Sequence, residues 1–399
     1  MAGVSDVNII GGSAAGLFAG YLLARMGKSV RLFDANDVMH VDNRTLITTA
    51  RLQEVLGFYP SEAVVNQIDR IDLYSPNHQV SIPMQEPDLV VERSAVMRLL
   101  ARMAAAAGVE IRGHCRFQDL VPSDRGIKVT ICDGEKDRLE TFTTRVLIGA
   151  DGMHSRVAHK TIGNGRLTTP ILQAIVEMPA GARTGTTGVW FEPKDTPYFY
   201  WSIPHSERHA AVGFIAEEGK DARAKLHRFL DRNGFKAVDL QSARIPSYSH
   251  FLRPWRQLGG GDIYLIGDAA AQVKVTTVGG LVTGLRGARA AANAIAGGTS
   301  YLRELWSLRW ELSLHLMIRA AMHRFGGADY DRLLQALTPK TVAILGRRNR
   351  DDATKIVWGI LSAQPRLLSF GRHAFNAFGK LRPTAAKLPP VSLGEPRAG

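Results

Sequence analysis

The sequence predicts an α/β fold: a Rossmann-like dinucleotide-binding domain, an α+β second domain built on a mostly antiparallel sheet, and a C-terminal helical region. Three separated stretches point there: VNIIGGSAAG (7–16), LIGADGMHS (147–155) and IYLIGDAAAQVKVTTVGGLVTGL (263–285). Each is an apolar, strand-like run that ends in glycine, and the last two carry an aspartate beside it. In this order they describe one dinucleotide threaded through the chain, with the first turn on its pyrophosphate and the last beside its reactive ring.

The chain opens as a βαβ unit. VNII reads as a short buried strand, and residues 14–26 place Leu17, Tyr21 and Leu22 on one helical face. Gly27 closes that helix, and SVRLFD alternates as a second strand that ends at Asp34. Residues 45–57 read as a helix stopped by Gly57, and 68–91 as two or three strands. Residues 91–109 form an alanine-rich helix ended by Gly108. VEIRGHCRFQDLVP (109–122), GIKVTICDG (126–134) and TFTTRVLIGAD (141–151) read as three further strands. Residues 170–258 have the pattern of a mostly antiparallel sheet with at least one helix, KLHRFLDRNG (225–234). A helix over about 279–296 is closed by Gly297 and Gly298. Residues 301–337 and about 341–378 are helical in pattern, and the stretch from Pro383, rich in Pro, Ala and Gly, is expected to fray.

The 399 residues exceed one core, so two or three lobes are expected. No apolar run is long enough to cross a membrane, and VNIIGG reads as a folded strand rather than a secretory signal. Cys115 and Cys132 make neither a disulfide framework nor a zinc site, so no metal is expected and a reduced, cytoplasmic setting is. The net charge of +13 fits nucleic acid, an anionic membrane or an acidic substrate. No nucleic-acid-binding pattern appears, so that partner is set aside. From Lys340 onward basic residues outnumber acidic ones and interleave with Ile356, Val357, Ile360, Leu361, Phe370 and Phe375. That composition belongs either to a solvated helix packed on the body or to a segment lying on the inner face of a membrane.

The first turn carries small residues at Gly11, Ser13 and Gly16, where a dinucleotide loop needs a tight turn, close backbone approach and close helix packing. Gly12, Ala14 and Ala15 complete the small-residue run. Asp34 follows Gly11 at the end of the second strand, placed to accept the ribose hydroxyls of adenosine.

With these residues the chain resembles the glutathione-reductase-type FAD fold and, within it, the group of aromatic hydroxylases and geranylgeranyl reductases. GADGMHS (149–155), with Asp151, looks like that group's DG motif near the pyrophosphate, and IGDAA (266–270), with Gly267 and Asp268, looks like the GD motif that holds the ribityl chain. Asp268 also reads as a helix N-cap. The resemblance implies FAD as cofactor and a discontinuous FAD-binding domain of 1–66, 88–165 and 259–300. It further implies a substrate-binding sheet domain of 67–87 and 166–258, a helical region of 301–382 and a flexible tail of 383–399. Arg93, after VVER, stands where the family's arginine meets the flavin. Arg44 stands where hydroxylases reach the pyrophosphate, and a surface ion pair is its other reading.

QVKVTTVGGLVTGL is similar to the geranylgeranyl reductase form, with Val275 for the usual proline and Val278 for the first glycine of a triplet. Gly279, Gly280 and the N–H of Leu281 remain to stabilise charge on a reduced ring. YFYWSIP resembles that family's aromatic strand motif, so Phe199, Trp201 and Pro204 are candidate substrate-wall residues, with ordinary sheet core as the other reading. The resemblance implies an FAD-dependent reductase that saturates C=C bonds of an isoprenoid or other hydrophobic lipid. Tyr198, Tyr200 and His205 are candidate proton donors. NAD(P)H and a ferredoxin-like donor protein are both open as reductant. A flavin monooxygenase or halogenase is the alternative, although Ala271 replaces the hydroxylases' histidine and no lysine lies between Lys28 and Lys128 to serve halogenation. A redox carrier without turnover is a third reading.

Overall fold

The computed structural model describes residues 5–39, 44–162, 167–217, 221–247, 252–347 and 353–365. A six-stranded sheet centres the dinucleotide domain, in the order Trp255–Leu258, Gly261–Leu265, Val146–Gly149, Val7–Ile10, Val30–Phe33, Glu110–Arg112. Its neighbours are parallel except for the edge hairpin Trp255–Leu258/Gly261–Leu265. Ile9 pairs with Ile148 on one side and Leu32 on the other.

Successive side chains leave this sheet on opposite faces. Ile9, Leu32 and Ile148 share a core with Leu17 and Phe18 of helix Ala14–Arg25, Leu100 of helix Arg93–Ala106 and Leu285 of helix Leu281–Gly297. Ile10, Phe33, Leu147 and Leu265 pack the other way, against Phe117, Val129 and Ile131 of a three-stranded antiparallel sheet, Cys115–Ser123, Gly126–Asp133 and Arg138–Thr144. Cover on both faces is why VNII and VLIG are apolar without alternation.

The second domain is an eight-stranded sheet in the order Lys236–Ser247, Leu167–Glu177, His209–Ile215, Tyr200–Pro204, Thr186–Trp190, Val64–Tyr74, Gln79–Glu92, Thr45–Thr48. It is antiparallel apart from the parallel pairing of Thr186–Trp190 with Val64–Tyr74. Helix Ala222–Arg232 packs Leu226, Phe229 and Leu230 onto one face, over Tyr200, Val212 and Phe214. Helices Trp306–Met322 and Gly327–Gln335 bring Ala321, Tyr330 and Leu334 against Phe191, Phe199, Leu73 and Val189.

Three sequence expectations change. The helix expected over 45–57 is a strand, Thr45–Thr48, followed by a short helix, Arg51–Leu56. Thr45–Thr48 is rich in β-branched residues and pairs with Leu89–Glu92, which overrides the local helical pattern. It joins the eight-stranded sheet, together with residues 89–92. The expected strand 109–122 divides at His114, a left-handed residue with φ 53°, into Glu110–Arg112 and Cys115–Ser123, which belong to different sheets. The run 141–151 divides in the same way between Arg138–Thr144 and Val146–Gly149. The helical region resolves into Tyr301–Glu304, Trp306–Met322, Gly327–Gln335, Pro339–Arg347 and Ala353–Ala363. The expected helical residues 366–378 and the tail 383–399 lie outside the described residues.

Candidate functional site

The first turn is built for close backbone approach. Gly11 has φ 107°, and a methyl added there would overlap the Ala150 carbonyl and lie 2.6 Å from the Asp151 nitrogen. A methyl at Gly16 would overlap the Gly11 carbonyl, so the helix starts directly against the strand. Ser13 caps that helix, accepting the Gly16 N–H at 3.2 Å. Asp34 braces the turn: its Oδ2 accepts the Gly12 N–H at 2.6 Å and its Oδ1 the Asn36 N–H at 2.8 Å. A carboxylate offers about four lone-pair sites, so two backbone bonds leave it capacity for ribose hydroxyls.

Asp151 follows strand Val146–Gly149. Its Oδ1 accepts the Ser155 hydroxyl and its Oδ2 accepts the Val157 N–H at 3.1 Å, while the Ala158 N–H donates to Ser155 Oγ at 2.9 Å. Burial pushes the Asp151 carboxyl up, and the bonds from Ser155 and Val157 pull it back. Asp151 thus fixes the second turn against the helix Arg156–Ile162.

These two turns, with Asp34 and Arg93, line one cleft of about 1040 Å³. His114, Arg116, His154 and Arg156 line it as well, and sequence reasoning assigned none of them a role there. Glycine edges, one carboxylate placed for ribose and several cationic side chains fit the adenosine–pyrophosphate half of a dinucleotide. Cys115 lies in the same wall and, like Cys132, is free. No metal-ligating group occurs among the described residues.

The third turn packs against the first helix, at Ala15, and none of its residues lines that cleft. Gly267–Ala270 is a single 3-10 turn, and a methyl at Gly267 would lie 3.1 Å from Ala15 Cβ. One at Gly280 would lie 3.1 Å from Asp268 Oδ1, so the start of helix Leu281–Gly297 abuts that carboxylate. Gln272 locks the loop: its Oε1 accepts the Gly267 N–H at 2.7 Å and its Nε2 donates to Tyr301 Oη at 3.1 Å. The Tyr301 hydroxyl in turn donates to the Leu265 carbonyl at 2.8 Å. Lys274 and Gly279 close a small antiparallel bridge, and Val278 within it is left-handed, with φ 51°.

The candidate substrate strand splits its residues between two faces. Phe199 and Trp201 lie together, with ring centroids 6.1 Å apart, and Phe191 meets Phe199 edge-on at 6.4 Å. A methyl on Gly213 would lie 2.8 Å from Trp201 Cζ2, so the indole covers that glycine. Tyr200 points the other way. It is fully buried between Phe214 and Phe229, centroids at 4.7 and 4.0 Å, and its hydroxyl donates to Asp195 Oδ2 at 3.1 Å. Burial raises its phenol far above the ordinary value. Pro204 shares the face of Tyr200 by strand alternation, and its carbonyl accepts from Asn66 at 2.9 Å. His205 Nδ1 lies 3.4 Å from Thr45 Oγ1. Burial, then the nearby His209, pulls its imidazole below the ordinary value. The Arg44 guanidinium donates to the Ser242 carbonyl at 3.4 Å, away from the cleft.

Helix Trp306–Met322 supplies contacts that the sequence did not announce. His315 Nδ1 meets Thr276 Oγ1 at 2.7 Å, on the third turn. Arg319 is 7% exposed; it donates to the Pro197 carbonyl, and its guanidinium lies 4.1 Å from the Tyr198 ring centroid. Glu311 pairs with Arg286 and Arg51. The signal was present as polar residues at i, i+4 and i+8, but their partners lie far away in sequence.

Residues 4–299 match the family model for the FAD binding domain. The chain is 26% identical to digeranylgeranylglycerophospholipid reductase 2 of Methanopyrus kandleri, over 92% of this chain and 98% of that protein. It is 26% identical to geranylgeranyl diphosphate reductase of Rhodobacter capsulatus, over 72% of this chain and 74% of that one. In fold it is similar to a geranylgeranyl bacteriochlorophyll reductase-like protein from Thermoplasma acidophilum, with TM-score 0.77 and 15% identity over 93% of this chain and 99% of that one. A flavin-dependent brominase shares the fold with TM-score 0.68 and 18% identity, over 95% of this chain and all of that one. The matched span holds all three glycine turns, and on that ground the chain belongs to the FAD binding domain family and is an FAD-dependent oxidoreductase similar to the geranylgeranyl reductases.

Proposed function

We propose that this enzyme saturates C=C bonds of an isoprenoid or other hydrophobic, lipid-like substrate. The observation that carries the reading is the union of an aromatic wall and a cofactor turn by one helix. Phe199 and Trp201 stand on the substrate strand, and helix Trp306–Met322 spans from that strand, at Arg319–Pro197, to the third turn, at His315–Thr276. The curated relatives, named as reductases of geranylgeranyl compounds, support the same reading.

Bound FAD in its reduced form supplies a hydride to one alkene carbon. The residues of this chain do the rest. Gly11, Gly12, Asp34, Arg93 and Asp151, which line one cleft, would hold the nucleotide half through close backbone approach and polar contacts. The start of helix Leu281–Gly297, beside Gly279 and Gly280, would turn the positive end of the helix dipole toward negative charge on a bound ring. Trp201 is buried and Phe199 packs against Phe191 and Ala321, so these rings would meet an extended apolar chain only where that packing opens to admit it. Tyr200 is committed to the core, so the candidate proton donors narrow to Tyr198, held against Arg319, and His205.

The test is anaerobic. Dithionite-reduced protein incubated with an unsaturated isoprenoid phospholipid is expected to yield product heavier by about two mass units per bond saturated. Absence of any mass gain, or incorporation of oxygen by reduced protein in air, overturns the reading.

A further inference from the structure

The outer side of the C-terminal helices carries an apolar surface that the proposed chemistry does not use. Helix Trp306–Met322 buries Leu308, Leu312, His315 and Arg319 on one side. Trp306, Trp310 and Met317 fall on the opposite side and are 72%, 58% and 38% exposed. Leu302, in the short helix just before, is 42% exposed. Helix Ala353–Ala363 packs beside it and has the sequence ATKIVWGILSA. From Thr354 to Ala363 no residue of that helix is buried, and Trp358 is 68% exposed. A helix so apolar and so little covered has left its packing face for something else.

The helices that carry or adjoin this surface are rich in exposed cations. Arg303, Lys340, Arg347 and Lys355 are exposed, helix Pro339–Arg347 packs on Ala353–Ala363, and neither of those two helices contains an acidic residue. Tryptophan is the side chain that favours the boundary between headgroups and acyl chains, and lysine and arginine at that depth pair with anionic headgroups. No helix among the described residues is long and apolar enough to cross a bilayer, so the contact is one of lying on the surface.

We propose that Trp306, Trp310 and Trp358, with the exposed Arg303, Lys340, Arg347 and Lys355 of the same and adjoining helices, form a docking surface for an anionic lipid bilayer. The surface backs directly onto the helix whose inner side holds Thr276 and Tyr198. The docked enzyme therefore faces the membrane with the helix that joins the cofactor turn to the substrate strand. The inference stands apart from the reductase reading: a chain that docks but does not reduce lipid keeps this proposal and loses the other.

The experiment is flotation of the full-length, FAD-loaded protein with phosphatidylcholine vesicles and with vesicles that also contain phosphatidylglycerol. Binding is expected on the anionic vesicles, weakened by salt, with a blue shift of tryptophan emission. The triple variant Trp306→Ser, Trp310→Ser, Trp358→Ser is expected to lose binding at least about tenfold, because each indole contributes apolar area to the interface. Its FAD content and circular dichroism are expected to be unchanged, since all three side chains are exposed. Arg303→Glu with Lys340→Glu is expected to abolish the preference for anionic lipid. Three results overturn the proposal: no vesicle binding by the wild type; equal binding by the triple variant; or a dimer that the tryptophan changes dissociate while vesicles are ignored. A fourth is vesicle binding that appears only after removal of residues 366–399, which makes the chain's own C-terminal segment the occupant.

Discussion

Gly11→Ala isolates the close approach that holds the first two turns together. The substitution does two things. It puts a side chain at φ 107°, which costs about 1–2 kcal/mol in the left-handed half of conformational space. It also drives a methyl into the Ala150 carbonyl and toward the Asp151 nitrogen. Both are backbone groups of a packed strand end and cannot rotate away, so overpacking adds about 1–3 kcal/mol. Gly27 separates the two terms, because it has φ 78° and nothing within 4 Å of an added methyl. Gly27→Ala therefore keeps only the conformational cost, offset by about 0.4–1 kcal/mol of lost freedom in the unfolded chain. At about 2–4 °C per kcal/mol, Gly27→Ala is expected to lower Tm by no more than about 6 °C, and the overpacking to lower that of Gly11→Ala by about 2–12 °C beyond this. Flavin content tells the same story from the functional side. Moving the 150–151 turn opens the cleft, so Gly11→Ala is expected to purify largely without FAD while Gly27→Ala stays yellow. Thermal shift and the flavin absorbance of the released cofactor read both. A Gly11→Ala protein with full FAD and a Tm matching Gly27→Ala would refute the converging-turn geometry.

Three further perturbations probe the rest of the site. Val278→Gly removes a β-branched residue from φ 51°, relieving about 1–2 kcal/mol against about 0.5–1 kcal/mol for glycine's extra freedom; Tm is expected to rise slightly, and a clear fall in differential scanning calorimetry counts against it. His205 is held below its ordinary value, so between that depressed value and about 6.5 the unfolded chain binds more protons than the native one. Stability is then expected to fall as pH drops through that window, and His205→Gln to flatten the slope in denaturant titrations. Tyr200→Phe removes the bond to Asp195 from the sheet core; it is expected to cost about 1 kcal/mol and to leave lipid turnover unchanged, and loss of turnover without loss of stability would restore Tyr200 as a proton donor.

What the sequence showed and what it hid divide by the distance over which each feature is decided. The run from Val7 to Asp34 was legible because strand, turn, helix and strand are contiguous, and Gly12, Ser13 and Asp34 bond to neighbours within that run. The order of the three glycine turns was legible for the same reason, each being a local strand end. Thr45–Thr48 was misread as helix because its state depends on Leu89–Glu92, which lies more than a strand length away. The break at His114 was hidden because the alternation of 109–122 continues through it while the chain changes sheets. Tyr200 reads as a candidate proton donor from the sequence alone, although adjacent strand positions put it and Trp201 on opposite faces. Alternation could not say that helix Ala222–Arg232 would cover the side of Tyr200. Arg44 was placed by analogy with a motif, and in the structure its side chain reaches strand Lys236–Ser247.

Helix Trp306–Met322 explains why so much polar chemistry lies in an otherwise apolar seam. Glu311, His315 and Arg319 are each at most 7% exposed and follow one another at i, i+4 and i+8. The first ties the helix to Arg286 of the FAD-domain helix, the second to Thr276 of the third turn, the third to Pro197 and Tyr198 ahead of the substrate strand. Apolar side chains in those three places would bury as well, but their contacts are non-directional, whereas each of these polar groups selects a particular partner atom. Hydrogen bonds and ion pairs tolerate little displacement, and removing one partner of a buried charged pair costs about 3–5 kcal/mol. The seam therefore fixes the register of the substrate strand against the cofactor turn. On the proposed reading, hydride transfer would depend on that register, because reacting atoms must be held within about 3–3.5 Å of each other.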